Sequence, residues 1–247
     1  MRKIAVIPAR YKSSRFPGKP LVKISGVPMV IRVARIAEMA LGKENTYIAT
    51  DSLRIKNVVE SFGYQVVMTS EQCLTGTDRV WELAKIIKAD IYVNIQGDEP
   101  MLDYRDILKV AQAKEENYEY VTNGMCYLSP EEDPSNINIP KVLVNNYNEL
   151  IYMSRLPIPG VKDLQSQEII KYKKQVCIYG FSYDDLQRFG EMKEKAPYEK
   201  AEDIEILRFF DLKKSVLMVE TSGSSLAVDV PSDVENVEKA ILKLSTE

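Results

Sequence analysis

The chain is 247 residues long, 45% apolar and 28% charged, with 33 basic and 36 acidic residues for a formal net charge of −3. That profile excludes disordered and fibrous classes and a wholly basic nucleic-acid binder, and a chain of this size buries roughly 70–75% of the surface its unfolded form exposes, enough for one large α/β domain or two small ones. The absence of histidine excludes Ser-His-Asp and Cys-His catalysis and removes the commonest zinc ligand, so any chemistry falls to carboxylates, fixed cations and a hard metal ion.

In chain order, KIAVIP (residues 3–8) is a short β-branched run that predicts a buried parallel strand, and residues 27–41 carry apolar side chains at three and four spacing behind Pro28, which predicts a helix. NTYIATD, YQVVMT and DIYVNIQGDEP predict further strands, alternating with helices over 52–63 and 77–88. Four strands and three helices in alternation predict a parallel, doubly wound sheet for residues 1–103. A helix over 104–117 and a strand over 118–128 follow. PKVLVNNYNELIYMSRLPIP predicts two strands joined by a hairpin-type connection, and the projecting region spans about residues 140–183. KQVCIYGFSY predicts another strand, residues 199–212 a helix, SVLMVET a strand and residues 231–244 a terminal helix. The polar segment VKDLQSQEIIKYKK predicts a mobile connection. The whole reads as one domain with a mixed sheet.

Cys73, Cys126 and Cys177 are scattered and odd in number, which predicts free thiols in a reducing, cytoplasmic setting. No stretch approaches the ~20 apolar residues of a membrane helix.

Ligands of a doubly wound sheet bind beyond the carboxyl ends of its strands, where the loop ARYKSSRFPGK after the first strand must lie. Arg10, Lys12, Arg15 and Lys19 repel one another unless water or an anion compensates them, and Ser13 and Ser14 add neutral donors. The loop is therefore a candidate phosphate site without a Walker or GxGxxG pattern. In QGDEP, Asp98 ends the fourth strand at the same edge. By itself it reads as either a helix cap or a ligand for a hard cation; Asp229 in LAVDVPSD supplies a second carboxylate, and magnesium needs one or two beside substrate phosphates. LTGTDR reads as a capped helix start, with Thr75 or Thr77 as the cap, or as a segment reading a base edge. The acidic net charge and the lack of a broad basic, aromatic-interleaved face argue against RNA binding.

IPARYKSSRFPGKPL, ATD at 49–51, TGTDR, NIQGDEPM, PKVLVN followed by MSRLPIP, and VDVPSD stand in one order across essentially the whole chain. Together they resemble the sugar-acid cytidylyltransferases, most closely the CMP-Kdo synthetase (3-deoxy-manno-octulosonate cytidylyltransferase) family. The resemblance implies an α/β, Rossmann-like nucleotidyltransferase fold, a mixed and mostly parallel sheet flanked by helices, and a homodimer built through a projecting β-hairpin region. It implies CTP and a 2-keto-3-deoxy sugar acid as substrates, with Mg²⁺ as cofactor, in the service of lipopolysaccharide or capsule synthesis. Ala9, Arg10, Ser13, Arg15, Lys19, Thr75, Gly76, Arg79 and Gln96 would lie on the nucleotide. Arg15, Lys19 and Asp98 would be catalytic, Asp98 and Asp229 would hold the metal, and Arg155, Gln175, Tyr179, Phe181, Glu205 and Ile206 would face the sugar.

The chain departs from the family at KQVCIYGF, where the family reads KHxGIY(A/G)Y, and at IEILR, where it reads LEQLR. Gln175, Cys177, Phe181 and Ile206 thus replace more polar or smaller groups, which leaves two readings: Kdo itself, with these changes neutral, or a modified, less hydroxylated 2-keto-3-deoxy acid, because sites built around hydroxyls discriminate strongly. A sialic-type acid, or nucleotide binding without catalysis, are the alternative readings.

Overall fold

The computed structural model describes residues 1–12, 16–162, 170–223 and 226–244. Ser13, Ser14 and Arg15, and half of the connection expected to be mobile (residues 163–169), lie outside the described residues, while its last two, Lys173 and Lys174, belong to a strand.

The elements are β1 (Lys3–Ala9), β2 (Lys23–Ile24), β3 (Val27–Pro28), α1 (Met29–Leu41), β4 (Thr46–Thr50), α2 (Leu53–Ser61), β5 (Gln65–Met68), α3 (Gly76–Ile86), β6 (Ile91–Ile95), α4 (Tyr104–Glu116), β7 (Val121–Tyr127), β8 (Lys141–Val144), β9 (Leu150–Ser154), β10 (Lys173–Phe181), α5 (Tyr183–Glu191), α6 (Pro197–Glu202), α7 (Arg208–Asp211), β11 (Val216–Glu220) and α8 (Pro231–Leu244). The main sheet runs β11-β7-β10-β6-β1-β4-β5. β6, β1, β4 and β5 are parallel, β10 is antiparallel to both β6 and β7, and β11 is parallel to β7. The α/β class and the mixed, mostly parallel sheet follow the sequence.

Strand periodicity explains the two larger cores, and a smaller third cluster gathers Ile24, Met29, Val228 and Val237. Ile4 and Val6 of β1 face a cluster with Val80 and Leu83 of α3, Leu186 and Phe189 of α5, and Phe209 of α7. Ala5 and Ile7 point the other way, toward Val30 and Val33 of α1, Ile55 and Val59 of α2, and Ile107 and Val110 of α4. Successive side chains of a strand face opposite sides, so an uninterrupted apolar run must be covered twice.

Three expectations need correction. Residues 27–28 belong to the small β2–β3 pairing, with Pro28 as N-cap, so α1 starts at Met29. The helix expected over 199–212 is broken: Asp203 takes φ 51, after which a 3-10 turn at Glu205–Leu207 leads into α7. Left-handed backbone ends a right-handed helix, and aspartate tolerates it better than most residues. Helix α5 has no counterpart among the expected elements, although Ser182 and Asp185 form a capping box at its start.

The β8–β9 hairpin is antiparallel and pairs with the first residues of β10. Its turn does not project freely: the Met218 N–H donates to the Asn148 carbonyl at 2.8 Å, and Glu149 bridges to Leu217. No described helix is long and apolar enough to cross a membrane.

Candidate active site

The cleft lies beyond the carboxyl ends of β1 and β6 and is lined in part by Pro8, Ala9, Arg10, Lys19, Gln96 and Asp98. The loop after β1 closes through Gly18, whose φ of 72 turns the chain and whose N–H reaches the Tyr11 carbonyl at 2.9 Å. Only glycine enters that region without steric cost. The turn starts a short 3-10 segment with Pro20 near its beginning, and Lys19 is thereby directed inward. Its ammonium donates to Asp98 Oδ2 at 2.9 Å and to the Val228 carbonyl at 2.9 Å, and stands 3.7 Å from Asp229 Oδ1. The backbone joins the same residues, because the Val228 N–H donates to the Asp98 carbonyl at 2.9 Å. Two carboxylates distant in sequence thus meet around one cation.

The loop cations are compensated in part by the protein itself. Lys12 pairs with Glu71 at 2.6 Å on the surface, and Lys19 with Asp98. Arg10 is exposed at the cleft. The expectation that water or an external anion balances all four cations is corrected for these two lysines. Ser13 and Arg15 lie outside the described residues.

The opposite wall is the start of α3. Thr75 is its cap, accepting from the Asp78 N–H at 3.2 Å, and it lines the cleft as well, so the structural and functional readings coincide. Gly76 packs closely: a Cβ there would stand 3.1 Å from Gln96 Nε2 and 3.2 Å from Pro8 Cγ, so a larger residue would press on both neighbours. Glu205 accepts from the N–H groups of Gly76 at 3.1 Å and Thr77 at 2.9 Å, a carboxylate on a helix N-terminus. Burial raises the Glu205 carboxyl above its ordinary range against the pull of the Thr77 and Gly76 donors. Arg79 is buried one turn on, bound to Asp51 Oδ2 at 3.0 Å and Thr69 Oγ1 at 2.5 Å, which explains why ATD and TGTDR occur together.

The expected sugar-facing residues divide. Glu205 lines the cleft. Phe181 is fully buried, stacked between Tyr179 and Phe209, and Ile206 is buried in the same core. Neither contacts the cleft, because both lie on the core face of their elements. Tyr179 is buried as well, and Gln175 donates to Asn123 Oδ1 at 2.9 Å and to the Tyr179 hydroxyl at 3.3 Å and is not among the lining residues. Arg155 lies behind the wall: its guanidinium donates to the carbonyls of Ile137, Glu202 and Asp203. Lys195, Asp203 and Cys73 also line the cleft, although the sequence marks none of them as a site residue. Lys195 and Asp203 lie in a polar stretch that carries no motif, so nothing local marked them.

The donor set around Lys19 suits a hard cation. Asp98 and Asp229 offer only oxygen, and an ammonium already stands between them. Among the described residues no group of three or more metal-ligating side chains occurs.

Fold and cleft define a nucleotidyltransferase of the doubly wound class, with its site at the strand ends. The family model for cytidylyltransferases matches residues 4–217, and the chain belongs to the cytidylyltransferase family. It is 35% identical to the 3-deoxy-manno-octulosonate cytidylyltransferase of Escherichia coli, over 95% of this chain and 94% of that one. Its identity to the 8-amino-3,8-dideoxy-manno-octulosonate cytidylyltransferase of Shewanella sp. (strain W3-18-1) is also 35%, over 98% and 99% of the two chains. The solved structure of a CMP:2-keto-3-deoxy-manno-octonic acid synthetase complexed with CTP superposes with a TM-score of 0.90 at 34% identity, covering 98% of this chain and 99% of that one.

Proposed function

We propose that this enzyme transfers CMP from CTP to the anomeric hydroxyl of a 2-keto-3-deoxy octulosonic acid, either Kdo or its 8-amino relative, releasing pyrophosphate. The observation that carries the reading is the convergence of Lys19, Asp98 and Asp229 at the strand ends, opposite the α3 start. The sugar hydroxyl forms a new O–P bond at the α-phosphorus, the bond to the β-phosphate oxygen breaks, and the hydroxyl proton is released to water. Arg10 and Lys19 orient the triphosphate and stabilise charge that grows on the departing pyrophosphate, the main catalytic contribution in phosphoryl-type transfer. Arg15 takes the same role in this reading. Magnesium held by Asp98 and Asp229 would neutralise phosphate charge and lower the pKa of a coordinated hydroxyl. In this reading Gln96, Thr75, the Gly76 backbone and Arg79, which line the cleft, wall the nucleotide side.

The product would feed lipopolysaccharide or capsule synthesis, from the cytoplasm. A homodimer through the hairpin region accords with the exposed apolar residues Ile151, Leu156 and Val161 there. The direct test is pyrophosphate release from CTP, measured with and without each sugar acid and with and without Mg²⁺. Release that needs both is the expected result; hydrolysis of CTP that ignores the sugar acid would sink the reading.

A further inference from the structure

Arg155 follows β9 and turns its side chain toward the end of α6. Its guanidinium donates to three main-chain carbonyls, those of Glu202 at 2.5 Å, Asp203 at 3.0 Å and Ile137 at 2.8 Å. The adjoining main chain is tied to the same place, because the Ser154 hydroxyl and the Arg155 N–H donate to the two carboxylate oxygens of Glu202, each at 2.8 Å. Buried Lys141 donates in turn to the Arg155 carbonyl at 2.5 Å. The arginine is fixed at both its backbone and its head group.

Glu202 and Asp203 are the approach to Glu205. Asp203 is left-handed, φ 51, the chain then passes through buried Ile204, and Glu205 accepts from the N–H groups of Gly76 at 3.1 Å and Thr77 at 2.9 Å. Left-handed backbone is strained for residues other than glycine, so such a turn persists only where its surroundings hold it. Arg208 holds the segment from the core side, on Glu199 and Asp78. Arg155 holds it from the hairpin side, through charge-assisted bonds, the stronger kind. Arg155 is not among the residues that line the cleft, whereas Thr75, Gly76 and Glu205 are.

We propose that Arg155 is a positioning residue for the nucleotide: by holding the Glu202–Asp203 turn it sets Glu205 against the start of α3, and with it the wall made by Thr75 and Gly76. The inference rests on the function proposed above. It moves the effect of Arg155 from the sugar acid, where the family resemblance puts it, to CTP. The two roles separate in steady-state kinetics, because losing an interaction equal in ground and transition states raises KM for the substrate concerned and spares kcat.

The experiment measures kcat and both KM values by pyrophosphate release, with Mg²⁺, CTP and whichever of Kdo and its 8-amino relative supports release. It uses the wild type, Glu205→Gln, and Arg155→Met and Arg155→Lys, each alone and combined with Glu205→Gln, with circular dichroism to establish folding. Arg155→Met is expected to raise KM for CTP about tenfold, the size of one lost bond to a charged group, and to leave KM for the sugar acid unchanged. Arg155→Lys keeps the charge but not the fork of donors, so it shifts KM for CTP in the same direction by less, and it carries the test if the methionine variant does not fold. In the Glu205→Gln background either substitution should add little, since residues acting through one another are not additive. A rise confined to KM for the sugar acid, an unchanged KM for CTP, or effects that multiply in full with Glu205→Gln would each overturn the role of Arg155 and leave the proposed function standing. Absence of sugar-dependent pyrophosphate release from folded wild-type protein overturns both.

Discussion

Asp98 and Asp229 share one ammonium, and this arrangement sets the expected response of the site to substitution. Asp98→Asn keeps the shape and leaves Lys19 bonded to the Val228 carbonyl, so the fold should survive while charge complementarity at the phosphates is lost. A loss of about a hundred- to thousandfold in kcat is expected with an unchanged melting profile, since one such electrostatic contact contributes ~3–4 kcal/mol to transition-state stabilisation; near wild-type turnover would remove Asp98 from the mechanism. Cys73 is the contrasting case. It lines the same cleft, but burial, aided by Glu82, pushes its thiol up to about 11. Because only the thiolate reacts quickly, alkylation of Cys73 by iodoacetamide should be slow at neutral pH and accelerate about tenfold per unit until pH approaches 11. Fast modification at pH 7 would contradict that placement. At this scale the sequence was legible where charge is concentrated, as at Lys19 and Asp98. It was not legible at Phe181 and Ile206, because an apolar side chain facing a ligand and one facing a core have the same spelling.

Among the elements, the start of α3 depends on a segment 130 positions away in sequence. Arg208 is fully buried, donates to Asp78 Oδ1 at 2.8 Å and to both oxygens of Glu199 at 2.6 Å, and lies over the Phe189 ring at 3.7 Å. Asp78 in turn receives the Thr75 hydroxyl at 2.7 Å, so Arg208 stabilises the cap that faces the cleft. Arg208→Met would leave two carboxylates buried without their cation, which typically costs about 3–5 kcal/mol. For a chain of this size a drop in Tm on the order of 10 °C is expected by calorimetry, and a shift of only a degree or two would show the network to be slack. The same clustering explains the broken helix: Asp203 must turn the chain before Glu205 can reach Gly76 and Thr77. Local periodicity in EKAEDIEILRFFDL reads as one helix, and only the tertiary demand on Glu205 and Arg208 interrupts it. Helix α5 was legible in principle from Ser182 and Asp185, the capping-box spacing.

For the molecule as a whole, the lack of histidine removes the side chain that ordinarily titrates between pH 5 and 8. Asp103 is held below the usual carboxylate range by Arg105, Glu115 by Lys3, Glu71 by Lys12, and Glu149 by Asn145 and Tyr120. A carboxyl lowered in the folded state contributes stability present above its unfolded value and lost as pH falls through its folded value. Glu205 has the opposite sign: its raised carboxyl contributes stability below the unfolded value, and that contribution is lost as pH rises through the folded one. Tm should therefore be nearly flat from pH 6 to 8, decline below about pH 4.5, and lose in Glu205→Gln whatever gentle slope remains on the near-neutral side. A steep transition near pH 6.5 would contradict this account.

The sequence alone determined the strand and helix alternation, the two-sided burial of β1 and the charge-rich loops at the strand ends, because periodicity and local charge are properties of neighbours along the chain. Only the tertiary structure decided that Lys19 lies between Asp98 and Asp229, that Glu205 caps α3, and that Lys195 and Asp203 finish the cleft wall. Those contacts join residues about 80 to 210 positions apart, except for the last pair, and they exist because a sheet folded over two cores brings distant loops to one edge. Short-range pattern carries no record of which distant loop will arrive there.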